Sequence, residues 1–95
     1  MTRKADAFCI YIDTSFQGPV AIERDEHEMP VVYPTREEAE REIAEVCIER
    51  PRQFLAGERD FDDAITVEEY VVPVTMLPAG AIIDEDGNIF PREGW

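Results

Sequence analysis

Residues 34–50 read PTREEAEREIAEVCIER, and the reading of this stretch decides the fold. Thr35 is a good helix N-cap, because its hydroxyl can accept from a free first-turn amide. Glu38 lies three residues on, placed to reach back and complete a capping box. Pro34 pushes Tyr33 towards extended geometry and so marks the boundary. Past the cap, Ala39, Ile43, Val46, Cys47 and Phe54 recur at helical spacing on one side. Glu38, Glu42, Glu45 and Glu49 share another side, roughly opposite Cys47 at ~100° per residue. This describes a helix docked on something apolar through Ile43, Val46, Cys47 and Phe54, with a carboxylate ridge facing out. Pro51 removes one backbone donor and crowds the carbonyl of Cys47. Phe54 and Leu55 continue the apolar register beyond it. The helix could end at Arg50 or kink at Pro51 and run on to a Gly57 C-cap, and the apolar register favours the kink, with a helix over residues 35–57.

Strands are expected on both sides of this helix. AFCIYID at 7–13 alternates Phe8, Ile10 and Ile12 against Cys9 and Tyr11. A turn at 14–18 leads to a second strand at 19–23, and a charged loop at 24–29 to a short third strand at 30–33. After the helix, ERDFDD at 58–63 reads as an acidic loop. VEEYVVPVTML at 67–77 is long and β-branched, with Tyr70, Val72, Val74 and Met76 on one face. Pro73 predicts an edge or a bulge there. Residues 81–83 and 88–90 flank DEDG as a hairpin, and PREGW at 91–95 reads as loose unless Trp95 docks. The expected order is β-β-β-α-β plus a hairpin. That is α+β: a small antiparallel sheet with one long helix across one face. The other face is expected to be solvated or used for binding.

Ninety-five residues fit one small domain, residues 1–95. Nine basic and 22 acidic residues give a formal net charge of −13. Such a charge repels phosphates, so it argues against direct binding to nucleic acid or an anionic membrane and favours a basic partner. MTRKADAFCIYI has too short an apolar run, and no small-residue cleavage site, for a signal peptide. No stretch approaches the ~20 apolar residues of a membrane span. Cys9 and Cys47 stand far apart in apolar company and read as buried, reduced thiols. A cytoplasmic protein is expected.

No residue pattern points to catalysis. His27 is the sole histidine, and Asp25, Glu26 and Glu28 lie too close to it in sequence to converge on one ion. The cysteines lack zinc spacing. Asp84–Gly87 supplies only a fragment of a calcium loop, because Glu93 falls at the wrong step. Ser15 has no nucleophile elbow around it. A catalytic acid would need a desolvating pocket, whereas these carboxylates lie in charge runs. No catalytic residue, metal or cofactor is therefore assigned.

The acidic ridge is the one constellation with a mechanism. Glu38, Glu42, Glu45 and Glu49 are spaced about 5–6 Å apart along the helix, a separation of the order of that between successive phosphates. Asp60, Asp62 and Asp63 add charge from the following loop. Solvation alone would also explain the ridge, since Glu is a good helix former and Glu37 has Arg41 as a compensating partner.

In size, acidity and lack of catalytic motifs, the whole chain resembles the small inhibitors of phages and mobile elements, including anti-CRISPR proteins and DNA mimics. That resemblance implies a protein that blocks a basic nucleic-acid groove on its target. A narrower one covers about the first half. AFCIYID followed by VVYPTREEAEREIAE is similar to the strand-strand-strand-helix run of HicB-type antitoxins, the match falling on Thr35, Glu37, Glu38 and Ala39. Tyr33-Pro34 stands where that family has Gly-Asp, and no DNA-binding tail follows.

The expected function is stoichiometric inhibition of a basic, nucleic-acid-binding partner by electrostatic steering and occlusion. Glu38, Glu42, Glu45 and Glu49 would bind it, with Asp60, Asp62 and Asp63 in support. The alternatives are an antitoxin-like module that neutralises a small basic toxin, and a small enzyme or ligand-binding domain. An edge strand leaves open pairing with a second copy across a two-fold axis.

Overall fold

Helix α1 spans Arg36–Leu55 in a computed structural model that describes residues 5–95. Residues 1–4, the start of the stretch read above as no signal peptide, lie outside the described residues. The helix begins as its capping signal dictates: Thr35 is extended, and its hydroxyl accepts from the Glu38 N–H at 3.2 Å. It passes through Pro51 without ending. Gly57, at φ 80°, then takes the left-handed position past its end. The Glu58 N–H reaches Gln53 O at 2.8 Å and the Gly57 N–H reaches Phe54 O at 3.0 Å. That pair of bonds is a Schellman closure, which a glycine makes without strain.

The strands are β1 (Ala7–Thr14), β2 (Gly18–Ala21), β3 (Tyr70–Met76), β4 (Ile82–Asp84) and β5 (Ile89–Phe90). They form one sheet in the order β2-β1-β3-β4-β5, every neighbouring pair antiparallel. The protein is thus α+β, with a small antiparallel sheet and one long helix. Two details of the chain differ from the sequence reading. Residues 30–33 make only isolated bridges, Phe8 to Tyr33 and Arg24 to Pro30, rather than a third strand. Residues 58–63 are not all loop, because Phe61–Ile65 forms a short helix α2.

Pro73 lies in an interior strand, not at an edge or bulge. The Phe8 N–H donates to Tyr33 O at 2.9 Å, and Phe8 O accepts from the Tyr33 N–H at 2.8 Å. Pro73, opposite Phe8, therefore lies in a pair that has no hydrogen bond to β1. Its nitrogen turns towards β4, whose ladder begins one residue later at Val74. The missing donor costs no ladder bond.

Alternation assigns the two faces. Phe8 and Ile10 turn towards α1: Arg36 stacks 5.3 Å from the Phe8 ring centroid, and Ile10 lines a groove with Ile43 and Val46. Ala7, Cys9 and Tyr11 turn the other way and build the core with Val20, Ala21, Val74, Ile82 and Phe90. This second face was expected to be open; it is the best buried part of the protein. The segment at 91–95 closes it. The Trp95 indole N–H donates to Ala21 O at 2.7 Å, and its ring lies 5.5 Å from Phe90. Ala21 is on β2 and Phe90 on β5, the two ends of the sheet. One residue touches both because the sheet curls round its core.

Candidate binding surface

The four ridge glutamates do not share one environment. Glu38, Glu45 and Glu49 are exposed, whereas Glu42 is half-buried against the sheet. Ala39, Ile43 and Val46 face the sheet as expected, and the helix is turned by only about 20–30° from its expected setting. Its only buried residue is Ala39, and Ile43, Val46 and Arg50 face the sheet with it. At ~100° per residue that direction lies roughly 70° from Cys47. Cys47 is consequently half-buried, and Phe54, expected inward, is exposed. The ridge is a flank of α1, with one shoulder on the sheet. Glu37 and Arg41 form their expected ion pair at 2.8 Å.

Asp60, Asp62 and Asp63 belong to a lobe made by the end of α1 and by α2. Asp60 precedes α2, and Asp62 and Asp63 lie in its first turn, where negative charge suits the helix dipole. Asp63 accepts from Arg59 at 2.6 Å, and Arg59 also holds Gln53 at 2.7 Å. Helix α2 packs on α1 through buried Ala64 and a Phe54–Phe61 ring contact at 5.4 Å. Five residues cannot bury more than one side of themselves. Apolar side chains are left exposed among the carboxylates: Ile48, Phe54, Leu55, Phe61, Ile65 and Val67. Leu55 retains 81% of its accessible surface.

Between α1 and the sheet lies a groove of about 360 Å³, floored by Ile10, Ile22, Ile43 and Val46. Glu23 and Glu42 stand on its walls, and Arg50 and Glu69 close one end as an ion pair. The second branch of that pair spans 3.2 Å, and Arg50 also donates to Thr66 O at 3.1 Å. The hydrogen bond from Arg50 holds the Glu69 carboxyl below its ordinary range. Burial pushes the Glu23 carboxyl up; the Tyr33 hydroxyl, donating at 2.8 Å, opposes the shift, and the charge of Glu42 adds to it. Sequence reasoning assigned nothing to Glu23, Arg50 or Glu69. They are distant in sequence, and only the docking angle of α1 brings them together.

His27 stands in the exposed loop 3.5 Å from Glu26. The Asp25 carboxylate accepts from the His27 and Met29 N–H groups, and the Met29 bond leads in keeping its pKa low. Asp84 is a structural acceptor in the hairpin: it is buried and takes the Asp86 and Asn88 N–H groups at 3.0 and 2.9 Å. Comparison with protein families, curated proteins and solved structures finds no match to this chain.

Proposed function

We propose that this protein binds a basic, nucleic-acid-binding protein in stoichiometric fashion and blocks its phosphate-binding surface, as DNA mimics and anti-CRISPR inhibitors do. The observation that supports this is the α1–α2 lobe. Ile48, Leu55, Phe61 and Ile65 stand exposed in the same stretch as Glu45, Glu49, Asp60, Asp62 and Asp63. Exposed apolar side chains rimmed by charge mark interaction surfaces. Here the rim carries one dominant sign, so it selects a basic partner and steers its approach. The apolar centre then supplies contact area that charge alone lacks. Glu38 and Glu42 extend the acidic flank towards the sheet.

No helix among the described residues is long and apolar enough to cross a membrane. Both cysteines are free thiols, which supports action in a reducing compartment such as the cytoplasm.

Charge reversal of Glu45 and Glu49 to Lys tests the reading. Both side chains are exposed, so folding should hold while association with the partner slows, since rim charges act on the on-rate. Equal association rates for the two proteins at low salt would rule out this surface.

A further inference from the structure

The groove between α1 and the sheet combines an aliphatic floor with carboxylate walls. Its floor is aliphatic: Ile10, Ile22, Ile43 and Val46. Its walls carry the Glu23 and Glu42 carboxylates, and neither forms an ion pair among the described residues. The one cation lining the groove, Arg50, is already committed to Glu69 and to Thr66 O. A purely apolar occupant would desolvate the Glu42 carboxylate and leave Glu23 with the Tyr33 hydroxyl as its partner and no counter-charge. A bare metal or ammonium ion would leave the aliphatic floor unused. A side chain with an apolar stem and a charged head satisfies both. Between the two such side chains, arginine fits better: its guanidinium is weakly hydrated and donates to two acceptors at once.

We infer that this groove receives an arginine side chain of the basic partner, its stem on the aliphatic floor and its guanidinium between Glu23 and Glu42. The inference rests on the proposed function for its partner and locates a specific anchor beside the steering charges. Arginine in a desolvated pocket is a recurrent binding hot spot. Burial, with a smaller addition from the charge of Glu42, raises the Glu23 pKa in this groove.

The probe is N-acetyl-arginine N-methylamide, titrated at millimolar concentration against the protein with methyl NMR. The neutral citrulline analogue, similar in shape, serves as control. Arginine should shift the methyl signals of the four floor residues and lower the Glu23 pKa; citrulline should do neither. Glu42→Gln should weaken the arginine response about tenfold, the scale of one lost charge-assisted bond. Glu40→Gln, the same charge change at an exposed position away from the groove, should leave it within about twofold. Equal responses to arginine and citrulline, or equal losses in the two variants, would overturn the assignment. Arginine filling the groove of a protein that binds no basic nucleic-acid-binding protein would keep the groove and remove the proposed function. Salt-sensitive binding of such a protein with silent groove methyls would do the reverse.

Discussion

Tyr11 is fully buried, its ring edge-on to Phe90 at 5.6 Å and its hydroxyl donating to Asp84 Oδ2 at 3.0 Å. Asn88 Nδ2 donates to the same oxygen, also at 3.0 Å. Tyr11→Phe keeps the ring and removes one bond to a charged acceptor. Chemical denaturation should show a loss of roughly 1–3 kcal/mol, and no loss would place the hydroxyl outside the core network. Alkaline pH probes the same region. Burial, then the charge and hydrogen bond of Asp84, hold the Tyr11 phenol well above its ordinary range. Burial and Asp13 lift Tyr70 to about 12, and burial and Glu23 lift the Cys9 thiol from 9.0 to about 12. Each group binds its proton more tightly in the folded state. Their stabilisation is therefore complete below pH 9.0 and is lost as pH rises towards about 12. Urea midpoints should fall across that window, and a flat profile would mean that these groups are wet. The alternation of 7–13 made Cys9 and Tyr11 facial partners from sequence alone. The role of Asp84 was hidden, because DEDG reads as turn chemistry and only the pairing of Asp84 with Val74 turns its side chain inward.

Helix α1 was legible at both ends and less so in between. Its Thr35 cap and Gly57 closure are local events, fixed by bonds within a few residues, and local sequence reports them. Thr35→Ala should cost about 1 kcal/mol in a thermal or urea melt; an unchanged melt would mean that the cap bond contributes nothing. The docking angle depends on the opposing surface. The apolar residues of α1 span a broad arc, so spacing alone left room for a turn of about 20–30°, enough to move Cys47 and Phe54 to the margin while Ala39, Ile43 and Val46 stay inward. The Arg50–Glu69 pair ties the chosen angle to the approach of β3. Its carboxyl has a lowered pKa, so its contribution is present above the ordinary carboxylate value of 4.5 and disappears as pH falls below it. Glu69→Gln should lower stability at neutral pH and flatten the acid limb of the stability profile. An acid limb identical to that of the parent would show that the pair contributes nothing.

Over the whole molecule, sequence gave the fold class and the acidic character, while the strand order, the curl of the sheet and the closure by Trp95 depended on contacts between distant segments. Trp95 bonds a carbonyl 74 residues earlier in the chain. The face expected to be open proved closed, and exposed apolar side chains cluster on the α1–α2 lobe, with others at Phe16, Ile22, Met76 and Ile89. A net charge of −13 bears on folding and on binding with opposite signs. Added salt relieves self-repulsion and should raise the melting temperature, while it weakens attraction to a basic partner, exposed charges being screened over ~10 Å at 0.1 M. The most direct measurement follows the displacement of a fluorescent DNA duplex from a panel of purified basic DNA-binding proteins as this protein is added. Binding through the acidic lobe predicts stoichiometric displacement from a member of the panel at low salt, weakening steeply with added salt and lost on reversal of Glu45 and Glu49 to Lys. Retention of the duplex by every member at low salt, or displacement indifferent to both salt and the double reversal, would contradict it.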